Sequence, residues 1–225
     1  MNFRAILVAA VLTSAAAGAQ AAATLSGNLT VDNAFNVYLS TSPTALGTLI
    51  ASGTNWPSVQ ALSASLTGGN TYYLQVVGWN YDDAATPGTI QPAHLPGNPD
   101  MFIGSFSLAG TGFTFENGGT SLNTDTTDWQ SAIVGSPSYT VTWSQPGGSP
   151  VSFGLNGTSP WGTLAGIAGG ANFIWATAPA NDTGESFFET KISPALPEPA
   201  TWAMMLAGFG GLGAMLRRRR GTAVA

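Results

Sequence analysis

From residue 25 onward apolar and polar residues alternate with period two, and turn-forming residues break the alternation every few positions. In residues 25–31 the apolar side chains fall on odd positions; after Asp32 and Asn33 the odd set resumes with Phe35, Val37 and Leu39, while Asn36 and Ser40 point away. A side chain repeating every second residue stays on one face of an extended strand but wanders around a helix, so the pattern dictates half-buried strands. Further strands are expected at 46–51, 59–66, 72–79, 101–108, 112–115, 129–134, 138–143, 151–155, 172–176 and 186–192, separated by Gly, Pro and Asn clusters. The segment 80–99 carries prolines at 87, 92, 96 and 99 and little periodicity, and reads as a long loop. Short strands at this spacing predict an all-β fold, a jelly-roll-like two-sheet sandwich.

Composition agrees. Charged residues make up 8% of the 225 residues, with 29 Gly and 14 Pro, a balance that suits tight turns and disfavours long surface helices. Between residues 24 and 196 ten acidic residues face one base, Lys191, leaving a net charge of −9 there. Phosphate backbones and anionic headgroups would be repelled, so nucleic acid is excluded as a partner, while neutral glycans, cations and basic surfaces stay open. With no cysteine, there is neither a disulfide nor a thiolate nucleophile, and stability must come from packing.

The two ends follow different rules. Residues 1–23 have the layout of a secretory signal peptide: Arg4, an apolar stretch at 6–12, then small residues. Both Ala19-Gln20-Ala21 and Ala21-Ala22-Ala23 suit a signal peptidase, so removal after Ala21 or after Ala23 is expected, following export through the Sec translocon. The delivered domain is then 24–193. The tail, 194–225, opens on Pro197, Glu198 and Pro199, which hold the chain extended and accessible. An uncharged apolar run of 17 residues, 200–216, follows. As a helix it would span roughly 25 Å, the lower limit for a transmembrane crossing. Arg217, Arg218, Arg219 and Arg220 are costly to translocate and would hold that end in the cytoplasm, leaving the domain outside the inner membrane.

With Pro197, Glu198, Pro199, Trp202, Ala203 and the arginine run in this order, the tail resembles the PEP-CTERM sorting signal of Gram-negative bacteria, in its variant with Trp-Ala after the PEP. The resemblance covers about the last tenth of the chain and implies recognition and cleavage by an exosortase, with delivery to the cell surface or the exopolysaccharide matrix of a biofilm. In the domain, residues 32–39, with Trp56 and the strand at 72–77, resemble the DNxFxxYL stretch of galactose-binding-like β-sandwich domains, although Ser40-Thr41-Ser42-Pro43 stands where that family usually turns on Asn-Gly. This implies a sandwich and suggests sugar binding. Residues 159–162, 173–176 and 187–188 resemble a block found in secreted PEP-CTERM proteins.

Candidate sites are few. His94 is the only histidine, in a loop without a nucleophile elbow, and reads as a solvated side chain. Carboxylates could pair for glycoside cleavage, but nothing in the sequence selects a pair, so no catalytic residue is expected. Oxygen-rich clusters at Asp32-Asn33, Asp82-Asp83 and 123–128 could hold calcium, although Asp and Asn form turns in any β protein; no other cofactor is expected. Of the domain's six tryptophans most read as core. Trp79, followed by Asn80, Asp82 and Asp83, combines an indole face for a sugar ring with polar groups for its hydroxyls, and these four residues are the expected lining of a glycan or calcium site. Three functions fit: a non-catalytic surface or matrix protein, a carbohydrate-binding module, and a glycan hydrolase.

Overall fold

The computed structural model describes residues 22–79, 100–134, 143, 145–176, 185–195, 205–213 and 217. The chain divides into two compact units, Met1–Pro194 and Ala195–Ala225. In the first, the described residues form two antiparallel sheets stacked as a sandwich. One sheet contains β1 (Ala22–Asp32), β4 (Gln60–Thr67), β6 (Met101–Gly110), β8 (Ser121–Asn123), β10 (Val151–Leu155) and β11 (Asn172–Trp175), ordered β10-β11-β6-β1-β4 with β8 also on β6. The other contains β2 (Ala34–Ser40), β3 (Thr48–Gly53), β5 (Tyr72–Trp79), β7 (Phe113–Phe115), β9 (Gln130–Val134) and β12 (Glu185–Pro194), ordered β3-β2-β5-β12-β7 with β9 also on β12.

The alternation predicted from sequence is the one observed. Leu25, Leu29 and Val31 of β1 and Phe35 and Val37 of β2 are buried in the layer between the sheets, with Leu74, Phe102 and Phe188. Each such apolar side chain stabilises the fold by roughly 1.5–3 kcal/mol. Trp129 and Trp175 lie in the same layer, Trp129 edge-on to Phe102 at 5.1 Å and Trp175 tilted against Phe188 at 5.4 Å. Gly78 makes room for Trp175: a Cβ there would stand 3.0 Å from both Trp175 and Val31. Differences from the expected elements are local. β1 begins at Ala22, β12 runs on to Pro194, and β8, only three residues long, is too short for a periodicity to reveal. The strand expected at 138–143 lies outside the described residues except for Trp143.

A second apolar cluster sits on the outer face of the first sheet. There Met101 and Ile103 of β6 and Phe173 of β11 are covered by Trp161, Leu164 and Ile167 from the segment after β10. Asn156 ties that segment together: its side chain accepts from the Leu164 N–H at 2.8 Å and donates to the carbonyls of Leu164 and Ile167 at 3.1 and 2.9 Å. Trp161 stacks on Phe173 at 4.7 Å. Thr30 and Asp32, which alternate with the core residues of β1, are therefore buried on the opposite face; Thr30 donates to the Trp56 carbonyl at 2.7 Å.

Candidate binding cleft

The outer face of the second sheet carries the candidate site. In β5 the core takes Tyr72, Leu74 and Val76, so Tyr73, Gln75, Val77 and Trp79 point outward. In β12 the core takes Phe188 and Ile192, so Phe187, Glu189 and Lys191 join them. Trp143 packs on Phe187 at 5.1 Å and donates its indole N–H to the Pro43 carbonyl at 2.8 Å, which covers the middle of this face. Gln75 and Glu189 are buried beside each other. The Gln75 amide donates to Glu189 Oε2 at 3.0 Å and to the carbonyls of Ser42 and Ala45 at 3.2 and 3.3 Å, anchoring the β2–β3 turn to the sheet.

Next to Glu189 the sheet is interrupted. β9 pairs with β12 from Glu185 to Glu189, with Gln130 opposite Glu189, and β7 pairs only from Ile192, opposite Phe115. Among the described residues, therefore, no strand lies across from Thr190 and Lys191 on that side. A cleft of about 260 Å³ opens there, lined by Tyr73, Asp128, Gln130, Gln145, Glu189 and Lys191, with Glu116, Thr127 and Thr190 completing the wall.

Electrostatics set its character. Lys191 Nζ pairs with Glu116 at 2.9 Å, and both side chains are about two-fifths exposed, so the contact positions them more than it stabilises the fold. Burial pushes the Glu189 carboxyl up to about 7, with the Gln75 hydrogen bond opposing. Asp128 is also raised, first by partial burial and then by repulsion from Asp125 and Glu116. Asp125 itself is occupied in a turn, its Oδ1 accepting from the backbone N–H groups of Thr127 and Asp128. The cleft is thus polar and acid-rich, with acceptors, amide groups able to donate or accept, one cation and one aromatic ring.

Of the residues expected to bind a ligand, Trp79 lies half-buried at the end of β5, paired with Ala34 and Glu185, its carbonyl accepting from the Asn33 N–H at 2.8 Å. Asn80, Asp82 and Asp83 lie outside the described residues, as does His94. Trp79 and Tyr73 share a face of β5 but stand six residues, or roughly 20 Å, apart. Among the described residues no group of three or more His, Cys, Asp or Glu could hold a metal. Asp32, one of the calcium candidates, is buried beside the second apolar cluster, whose Trp161 donates to it. Sequence reasoning missed the cleft because its walls come from β5, β12 and the segments around β7 and β9. The one signal available was that Glu189 and Lys191 alternate with Phe188 and Ile192.

In the second unit residues 205–213 are helical and exposed, and Arg217 is helical and exposed. Pro197, Glu198, Pro199, Trp202, Ala203, Arg218, Arg219 and Arg220 lie outside the described residues. Among the described residues no helix is long and apolar enough to cross a membrane.

The first unit is an antiparallel β-sandwich with a polar cleft on one outer face. The chain carries, at residues 195–220, a match to the family described as the PEP-CTERM protein-sorting motif. That motif marks an exported protein processed at the membrane by an exosortase. Neither a curated protein nor a solved structure matches the chain significantly.

Proposed function

We propose that this is a non-catalytic protein of the cell surface or exopolysaccharide matrix. In this reading residues 1–23 direct export through the Sec translocon, and signal peptidase cuts after Ala21 or Ala23. Residues 200–216 anchor the precursor in the inner membrane with Arg217 to Arg220 in the cytoplasm, and an exosortase cuts near Pro197 to Pro199. The carrying observation is the sorting motif beginning at 195, immediately after the last strand of the sandwich ends at Pro194. Such an arrangement frees a folded domain with a short stub. The test is intact-mass measurement of the protein from cells with and without the exosortase. Loss of the tail in the first and its retention in the second is expected; a mature protein still carrying Arg217 to Arg220 in exosortase-positive cells would overturn the processing step, and recovery from the cytoplasm would overturn the whole address.

A second reading, carbohydrate binding, is favoured by the composition of the cleft beside Glu189. Exopolysaccharide is then a partner as well as a destination.

A further inference from the structure

We propose that the cleft between β9 and β7 binds one sugar ring of a neutral polysaccharide, with Tyr73 as the stacking surface and Gln130, Gln145, Glu189 and Asp128 as hydroxyl partners. The inference rests on reading the domain as a binding module, but not on how the chain is exported.

The argument begins with the gap in the sheet. Among the described residues, a ladder interrupted at Thr190 and Lys191 leaves a stretch of β12 open on one side. Backbone and side-chain polar groups at such a place require partners. Thr190 also borders the cleft, although its side chain alternates with those of Glu189 and Lys191 and so turns toward the core. The Glu189 carboxylate at the floor is 4% exposed, so any group it meets there is bound in a largely desolvated place, where a hydrogen bond is worth more than on the surface.

Lining chemistry selects the ligand class. A sugar hydroxyl donates once and accepts as well, so a ring edge needs acceptors and donors side by side. Glu189 and Asp128 accept, Lys191 donates, and the amides of Gln130 and Gln145 do either. Tyr73 offers an aromatic face to the C–H side of a ring. With Lys191 paired to Glu116, Asp128 and, once it ionises above about pH 7, Glu189 leave the cleft net negative, which disfavours phosphate, sulfate and uronate groups and leaves uncharged sugars. Size decides between a small molecule and a chain. At about 260 Å³ the cleft falls just below the roughly 300–1,000 Å³ of pockets that enclose whole ligands. It suits one ring, with the rest of the polymer running over the open sheet face.

The experiment titrates the full-length chain in detergent with neutral oligosaccharides built of glucose, galactose, mannose or rhamnose, and with uronate-containing ones. Binding to at least one neutral probe and to no acidic one is expected. Gln130 and Gln145 are exposed, so Gln130→Ala and Gln145→Ala should leave folding intact while each weakens binding by about tenfold, the loss of one good hydrogen bond. Tyr73→Ala should weaken it at least as much, and Trp79→Ala should leave it unchanged. No binding to any neutral probe, equal binding to acidic ones, or unchanged affinity in both glutamine variants would each overturn the proposal. Loss of affinity in Trp79→Ala alone would move the site to the other end of β5 and overturn it too. If the probe is bound as expected but also hydrolysed, the site stands and the non-catalytic reading falls.

Discussion

The indole N–H of Trp161 donates to Asp32 Oδ2 at 3.2 Å, joining residues 129 positions apart on the outer face of the first sheet. Asp32 is 3% exposed, and among the described residues its Oδ1 has no hydrogen-bond partner. Burial raises this carboxyl from 3.8 to about 7, a shift the Trp161 bond only partly opposes.

A pH dependence follows. Between the unfolded value near 4 and the folded value near 7 the native protein holds a proton that the unfolded chain has lost. Unfolding free energy therefore falls as pH rises through this window. Glu189, raised from 4.5 to about 7, acts in the same direction. The Asp32 shift alone corresponds to on the order of 4 kcal/mol once the group is fully ionised in the fold. Thermal melts should give a higher Tm at pH 5 than at pH 8. Asp32→Asn keeps an acceptor for Trp161 and removes the charge, so its Tm at pH 8 should exceed that of the unsubstituted protein. An equal loss of Tm at both pH values would show that the carboxyl is not the titrating group.

Phe106 depends on two glycines. Gly27 lies directly across from it in β1, and Gly104 lies two residues before it in β6. A Cβ at Gly27 would come within 2.4 Å of the Phe106 ring and 2.9 Å of the Ser105 carbonyl oxygen; one at Gly104 would come within 2.7 Å of the same ring. Gly27→Ala should destabilise the domain by about 1–3 kcal/mol through overpacking. Urea titration would show it as a lower midpoint at unchanged slope. Combining Gly27→Ala with Phe106→Leu should recover part of the loss, because the smaller side chain vacates the contested volume.

Gln75 links a turn to the sheet. Its amide serves Ser42, Ala45 and Glu189, so Gln75→Leu removes donors from two carbonyls and a buried carboxylate together. A loss of about 2–3 kcal/mol is expected, larger than for a surface hydrogen bond because an ionised acceptor is left buried. The loss should be smaller at pH 5, where Glu189 is protonated. Equal losses at pH 5 and pH 8 would argue that the turn alone is responsible.

Strand register separates the two signal-peptide sites that sequence leaves equivalent. Ala22 pairs with Thr67, and Ala23 pairs with Leu66 and Gly110 and is buried. Removal after Ala23 would delete a core methyl and the first rungs of a central strand; removal after Ala21 keeps both. N-terminal sequencing of the exported protein is expected to begin at Ala22. A sequence beginning Thr24 would refute the choice of site, and one beginning Met1 would refute the signal peptide.

Period-two alternation was enough to identify the longer described strands and their inward faces, because that property is local: neighbours in sequence decide which side of a strand a residue occupies. The sorting tail was legible for the same reason, since Pro197, Glu198, Pro199 and the arginines act as a contiguous string. Which strands pair was not legible. The chain changes sheet at every connection between described strands except β2–β3 and β10–β11, and nothing local encodes which remote strand completes a ladder. Asp32 and Thr30 therefore read as outward polar positions until residues 156–171 cover them. Glu189 likewise became the floor of a cleft only because β9 pairs with β12 no further than Gln130 opposite Glu189 and β7 only from Phe115 opposite Ile192, a gap created by pairing over long separations in the chain.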